Sequence, residues 1–193
     1  LRVAYLSSDL RDHPVGKLTA SLFKLHDRGQ FHVLCFQAGL GEDSALQREI
    51  KQNCDSFQIL PDEMTDVEVA SAIHKARPHI IVELNALTRG GRHGALAMRP
   101  APLQISFLGS SGPTGMGHID YIVADRVVAP PHLQEQHYIE PLIRLPNSFL
   151  AASTPQPHPG VYPHAASTPQ PHPGVYPHAQ PGTLSRTPAY TRT

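Results

Sequence analysis

Over the first 150 residues, short uninterrupted apolar runs alternate with stretches whose apolar positions recur every three or four residues. Leu1–Ser7 (LRVAYLS) and Phe31–Gln37 (FHVLCFQ) are runs of the first kind, the pattern of strands buried on both faces. Between them, Val15–Asp27 sets Leu18, Leu22 and Leu25 at helical spacing, and Pro14 suits a helix's first turn. Asp43–Asn53 predicts a second helix and Ser56–Leu60 a strand. Thr65–Ala76 opens on a Thr with Glu68 three residues later, a capping-box signature, and predicts a third helix. Strands follow at His79–Leu84, Leu103–Leu108 and Tyr121–Ala124. The alternation with short connections predicts an α/β fold: a Rossmann-like, mainly parallel sheet with helices on both faces. Ligands of such sheets bind at the carboxyl ends of the strands. That singles out three loops, Ser7–Pro14, Asn85–Gly94 and Gly109–His118. No GxGxxG follows the first strand, so the dinucleotide fingerprint is absent.

The pattern stops near residue 150, and composition explains why. Ala151–His164 (AASTPQPHPGVYPH) is repeated letter for letter as Ala165–His178, with four prolines in each 14-residue unit. Proline cannot continue a helix or complete a sheet ladder, and little besides Val and Tyr is available to bury. The expectation is an ordered domain over 1–150 and a disordered, polyproline-leaning tail over 151–193. Histidines 158, 164, 172 and 178 lack carboxylate or Cys companions, so the tail is not read as a metal site.

Charge changes the picture only by exclusion. The chain carries 16 Lys+Arg and 16 Asp+Glu, and the tail's only charges are Arg186 and Arg192, so the first 150 residues balance at 14 − 16 = −2. There is no basic excess of the kind that marks nucleic-acid binding. No apolar run reaches the ~20 residues of a membrane-spanning helix, and the start lacks the basic and apolar regions of a signal peptide. It also lacks an initiator Met, which suits a piece of a longer protein. Cys35 and Cys54 form no CxxC and are too few for a disulfide framework, so reduced cysteines in an intracellular setting are expected.

The three loops hold the distinctive chemistry. SSDLRDHP offers Ser7, Ser8, Asp9, Asp12 and His13 ahead of a helix start; the imidazole can exchange protons near neutral pH, or Asp12 can simply cap the helix. In NALTRGGRHG, Arg89, Arg92 and the backbone of Gly90 and Gly91 can cradle phosphate, although the Lys-Ser/Thr ending of a P-loop is missing; a flexible turn with solvated arginines reads equally well. GSSGPTGMGH carries four glycines in nine residues, which suits close backbone approach to a ligand or a plain turn.

Taken together and in order, LRVAYLSSDLRDHPVGKL, FHVLCF, HIIVELNALTRGGR, ALAMRPAPLQISFLG and DYIVADRVVAPP through RLPNSF resemble the catalytic region of the protein O-GlcNAc transferases, glycosyltransferases of GT-B fold. The resemblance covers roughly residues 1–150. It implies the amino-terminal Rossmann-like lobe of a two-lobed enzyme that carries N-acetylglucosamine from UDP-GlcNAc to Ser/Thr hydroxyls of cytoplasmic or nuclear proteins, without a metal or other cofactor. By position, Asp9 and His13 match the family's active-site aspartate and histidine. Thr88, Arg89 and Gly90 fall in its T-K-G-type loop, and Gly109 and Ser111 in its donor-side GYPG loop, here Gly-Ser-Ser-Gly. Lys17 stands where the family has His, and Asp12 where it has Asn. The resemblance further implies a second lobe with the nucleotide pocket and a tetratricopeptide arm that presents protein substrates. Neither is legible in these 193 residues, so little activity is expected of them in isolation. The alternatives are a SPINDLY-type protein O-fucosyltransferase using GDP-fucose, and a non-catalytic binding module that recruits partners through its Pro-rich tail.

Overall fold

The computed structural model describes residues 1–110, 112–133 and 137–150. The expected tail, its tandem repeat and Ser111 lie outside the described residues.

Seven strands form one sheet: β1 (Arg2–Ser7), β2 (His32–Ala38), β3 (Ser56–Leu60), β4 (Ile80–Glu83), β5 (Leu103–Ser106), β6 (Tyr121–Ala124) and β7 (Leu142–Arg144). Their spatial order is β3-β2-β1-β4-β5-β6-β7, and every pairing is parallel. Val3 of β1 lies between Val33 of β2 and Ile80 of β4. Among the described residues, α1 (Pro14–Leu25), α2 (Ala45–Gln52), α3 (Asp66–Lys75) and α4 (His93–Ala97) lie between the first five strands. None is long and apolar enough to cross a membrane.

The apolar runs are continuous because the strands are covered on both faces. Along β1, Val3 and Tyr5 join Val33, Phe23 and Ile50 in one core cluster, under α1 and α2. Ala4 and Leu6 join Leu34, Phe36, Val69 and Ile73 in the other, under α3. Period-two alternation thus divides a single strand between two cores. Asp125, just after β6, is buried and accepts hydrogen bonds from the backbone N–H groups of Val127, Val128 and Phe149. Those donors, Val128 first, hold its carboxyl below the usual carboxylate range and tie the last described segment to the sheet.

The structure departs from expectation at four places. The buried face of α1 is Gly16, Thr19, Ala20 and Phe23, not Leu18, Leu22 and Leu25; Leu25 is 78% exposed. Gly16 sets this rotation: a Cβ there would stand 2.1 Å from the carbonyl oxygen of Arg11, so the helix is seated on the preceding loop by its smallest residue. The Thr19 hydroxyl donates to the Val15 carbonyl, which lets a polar residue sit in the interface. Helix α4 and strand β7 are not anticipated by the sequence pattern. They have five and three residues, too short for either periodicity to show. Finally, Cys35 of β2 and Cys54, just beyond α2, are joined in a disulfide rather than left as thiols, with their Cα atoms 6.3 Å apart. The chain folds back through α2 beneath β2, so two cysteines 19 positions apart meet.

Candidate functional site

Because β1 and β4 are neighbours in the sheet while β2 and β3 extend to one side and β5–β7 to the other, the loops leaving β1 and β4 diverge at a topological switch point. A cleft of about 580 Å³ opens there. Its walls come from the first loop (Ser8, Asp9, Arg11, His13), the end of β2 (Ala38, Gly39), the second loop (Thr88, Arg89, Gly90) and Gly109 after β5. Asp9, His13, Thr88, Arg89, Gly90 and Gly109, singled out in sequence, therefore stand on one cleft. Arg92 does not: its guanidinium turns away to Asp66 (3.2 Å) and the Met64 carbonyl.

Asp9 is only 6% exposed, and its carboxylate has three neighbours. Asn85 Nδ2 donates to Oδ2 at 3.1 Å, Arg11 Nη2 to Oδ1 at 3.4 Å, and His13 Nδ1 stands 3.7 Å from Oδ2. The Asp9 N–H donates to the Ser7 hydroxyl at 3.0 Å. A carboxylate so enclosed keeps a defined orientation, because each rotation loses a donor it cannot replace with bulk water.

His13, not Asp12, caps the helix, and it also faces the cleft. It is the N-cap of α1, its Nδ1 accepting from the Val15 N–H at 3.3 Å, while half-exposed on the cleft. Asp12 instead pairs with Lys17 at 2.7 Å. Acceptance at Nδ1 assigns the neutral ring's proton to Nε2; protonation of Nδ1 turns that nitrogen from helix cap to donor, with Asp9 Oδ2 beside it.

Asn85 carries no distinguishing mark in the sequence, yet it holds the loops together. Its Oδ1 accepts the Ser8 N–H at 2.9 Å, and its Nδ2 reaches Ser8 Oγ (2.8 Å), Asp9 Oδ2 (3.1 Å) and Thr88 Oγ1 (3.2 Å). Thr88 Oγ1 in turn donates to the Asn85 carbonyl, and Ser8 Oγ to the Arg89 carbonyl. Behind it, the buried carboxylate of Glu83 accepts the N–H groups of Asn85 and Ala86 and the Ser106 hydroxyl, holding Ala86 at φ 46° so that the chain turns sharply off β4. Asn85 is concealed because its contacts to Ser8 and Asp9 span 77 and 76 positions. Gly109 is seated directly on this turn: a Cβ would fall 2.2 Å from the Asn85 carbonyl carbon.

Chemically, the cleft presents a buried carboxylate, an imidazole, hydroxyls, two guanidinium groups and glycine backbone at one strand-end edge. That set suits a polar ligand carrying hydroxyls and negative charge. Among the described residues, no three His, Cys, Asp or Glu side chains are grouped as metal ligands.

Comparison with known proteins agrees in residues and in fold. Residues 1–167 match glycosyl transferase family 41. The chain is 35% identical over 150 residues to the probable UDP-N-acetylglucosamine–peptide N-acetylglucosaminyltransferase SEC of Arabidopsis thaliana, which covers 77% of this chain and 15% of that protein. It is 31% identical over 162 residues to the probable UDP-N-acetylglucosamine–peptide N-acetylglucosaminyltransferase SPINDLY of Solanum lycopersicum, covering 83% of this chain and 17% of that one. Among solved structures, a variant of the Thermobaculum terrenum O-GlcNAc transferase superposes with a TM-score of 0.77 and 32% identity, over 84% of this chain and 31% of the other. The chain thus spans about a sixth of the length of these curated relatives. A parallel sheet in Rossmann order, a cleft at its switch point and a match across residues 1–167 lead to one conclusion: this chain belongs to glycosyl transferase family 41.

Proposed function

We propose that this chain is the amino-terminal Rossmann-like lobe of a protein O-GlcNAc transferase, which moves N-acetylglucosamine from UDP-GlcNAc to Ser or Thr hydroxyls of cytoplasmic or nuclear proteins. The observation that carries the reading is the convergence of Asp9, His13, Thr88, Arg89, Gly90 and Gly109 on one cleft in a family 41 chain.

In the transfer, the acceptor oxygen forms a bond to the sugar's C1 as the bond from C1 to the diphosphate oxygen breaks. UDP leaves with that electron pair, and the acceptor proton passes to a base. Charge therefore develops at two places, on the attacking hydroxyl and on the departing diphosphate. Asp9 and His13 are suited to orient the sugar and acceptor hydroxyls by hydrogen bonds. Arg89, with the backbone of Thr88, Gly90 and Gly109, is suited to the anionic donor. No metal enters this scheme, since the cationic and dipolar groups it invokes belong to protein.

The test is a titration of the ¹⁵N-labelled chain with UDP-GlcNAc, and in parallel with GDP-fucose. Shifts at Asp9, His13, Thr88, Arg89 and Gly109 amides with UDP-GlcNAc, and weaker ones with GDP-fucose, are expected. Preference for GDP-fucose would reassign the donor, and no response to either would overturn the assignment of Arg89 and the Gly90 and Gly109 backbone to the donor. A polypeptide of these 193 residues mixed with UDP-GlcNAc and a Ser/Thr peptide is expected to show no turnover, because they span about a sixth of the length of the curated relatives and the resemblance places the nucleotide pocket in a second lobe; robust glycosylation would contradict that.

A further inference from the structure

We infer that Asn85 is the positioning residue of this cleft: it orients the Asp9 carboxylate and locks the first loop to the second, an inference that rests on the transferase reading for its functional consequence. Asn85 is 2% exposed and does not line the cleft, so it acts only through residues that do. Its orientation is uniquely determined. The Ser8 N–H demands an acceptor and Asp9 Oδ2 demands a donor, so a flipped carboxamide would oppose like to like at both contacts.

The geometry goes beyond ordinary loop packing in two respects. First, the 3.1 Å contact from Asn85 is the closest side-chain donor to the Asp9 carboxylate, nearer than Arg11 or His13. Without it, Oδ2 would face His13 alone and the carboxylate would be free to turn to Arg11. Second, the two hydrogens of Nδ2 serve three oxygens on both loops, Ser8 Oγ, Asp9 Oδ2 and Thr88 Oγ1. Movement of either loop therefore changes the hydrogen bond that Asp9 receives. Glu83 fixes the Asn85 backbone from behind, and Gly109 packs against its main-chain carbonyl. Misplacement of a substrate-facing group by about 1 Å can cost on the order of a hundredfold in rate.

Asn85→Asp separates positioning from mere support. It keeps the oxygen that accepts from Ser8 but replaces the donor facing Asp9 with a second carboxylate oxygen. In the ¹⁵N-labelled chain, Asn85→Asp is expected to weaken UDP-GlcNAc about tenfold, by ~1.4 kcal/mol, and to weaken it less than twofold when Asp9→Asn is also present, where the amide and carboxylate have exchanged places. Equal weakening in both backgrounds, or none, would overturn the inference. Ligand-free readouts decide it even if UDP-GlcNAc does not bind, an outcome that sinks the donor assignment alone. Asp9→Asn must shift the Asn85 side-chain NH₂ signals. Asn85→Ala must speed Ser8 amide exchange about tenfold while the Leu84 amide, bonded to the Leu6 carbonyl, stays protected. If the signals hold still, or Ser8 exchange is unchanged, Asn85 positions nothing; if Asn85→Ala fails to fold, the Asn85→Asp series decides the question.

Discussion

A methyl group on Gly109 would stand 2.2 Å from the carbonyl carbon of Asn85 and 2.6 Å from the Leu84 carbonyl oxygen, distances no packing adjustment of a side chain can relieve. Gly109→Ala must therefore push β5's exit loop away from the turn off β4. It is expected to cost about 1–3 kcal/mol in urea denaturation and to shift the Asn85 and Thr88 amide signals. A loss below a few tenths would show the backbone yielding freely. Single residues differ sharply in how legible they are in the sequence. Asp9 and His13 are readable because both lie in one loop after one strand. Asn85 and Glu83 are not, because an Asn and a Glu acquire their roles only from partners that other strands bring to them.

Helices divide along the same line, between local and distant partners. The capping box of α3 is legible, since Thr65 and Glu68 exchange hydrogen bonds across three residues, and all its partners are local. The cap of α1 is His13, which the sequence does not distinguish from Asp12 as a capping residue. His13→Ala is expected to cost about 1 kcal/mol, and His13→Asn, which supplies a side-chain acceptor at the same place, to recover most of it. Matching melts for the two variants would show that the cap contributes nothing. The Cys35–Cys54 disulfide, which ties β2 to the turn between α2 and β3, closes a loop of 19 positions, worth about 3 kcal/mol by chain entropy. Cys54→Ser should lower the urea midpoint without changing the sheet's far-UV signature; an unchanged midpoint would show the bond adds no stability. Leucine spacing misplaces the buried face of α1 because it reports apolarity, whereas the seat of the helix is set by how closely Gly16 approaches the Arg11 carbonyl.

For the molecule as a whole, several titrating groups point to loss of stability in acid. Burial, reinforced by Arg28, lowers His26 against the opposing pull of Asp55; burial, with His93 and Arg99, lowers His118. The folded state thus favours both imidazoles neutral, so their contribution is whole above about pH 6.5 and is lost as the pH falls below it. A second loss follows below about pH 4. There Asp125 is held down by backbone N–H donors, and Asp55, which burial alone would raise, is held down by the Val33 N–H, Arg28 and His32. Melting temperatures measured from pH 8 to 3 should therefore fall in two steps; a rise between pH 7 and 5 would contradict the sign. The sequence by itself determined the α/β alternation, the strand-end loops and the family, because apolar periodicity and short motifs are local properties of the chain. Only the tertiary structure decided that Asp9, His13, Thr88, Arg89 and Gly109 share one cleft, that Arg92 leaves it, and that Asn85 joins its loops. Those facts follow from β1 and β4 lying side by side, an adjacency created by burying two apolar sheet faces at once and written in no single segment.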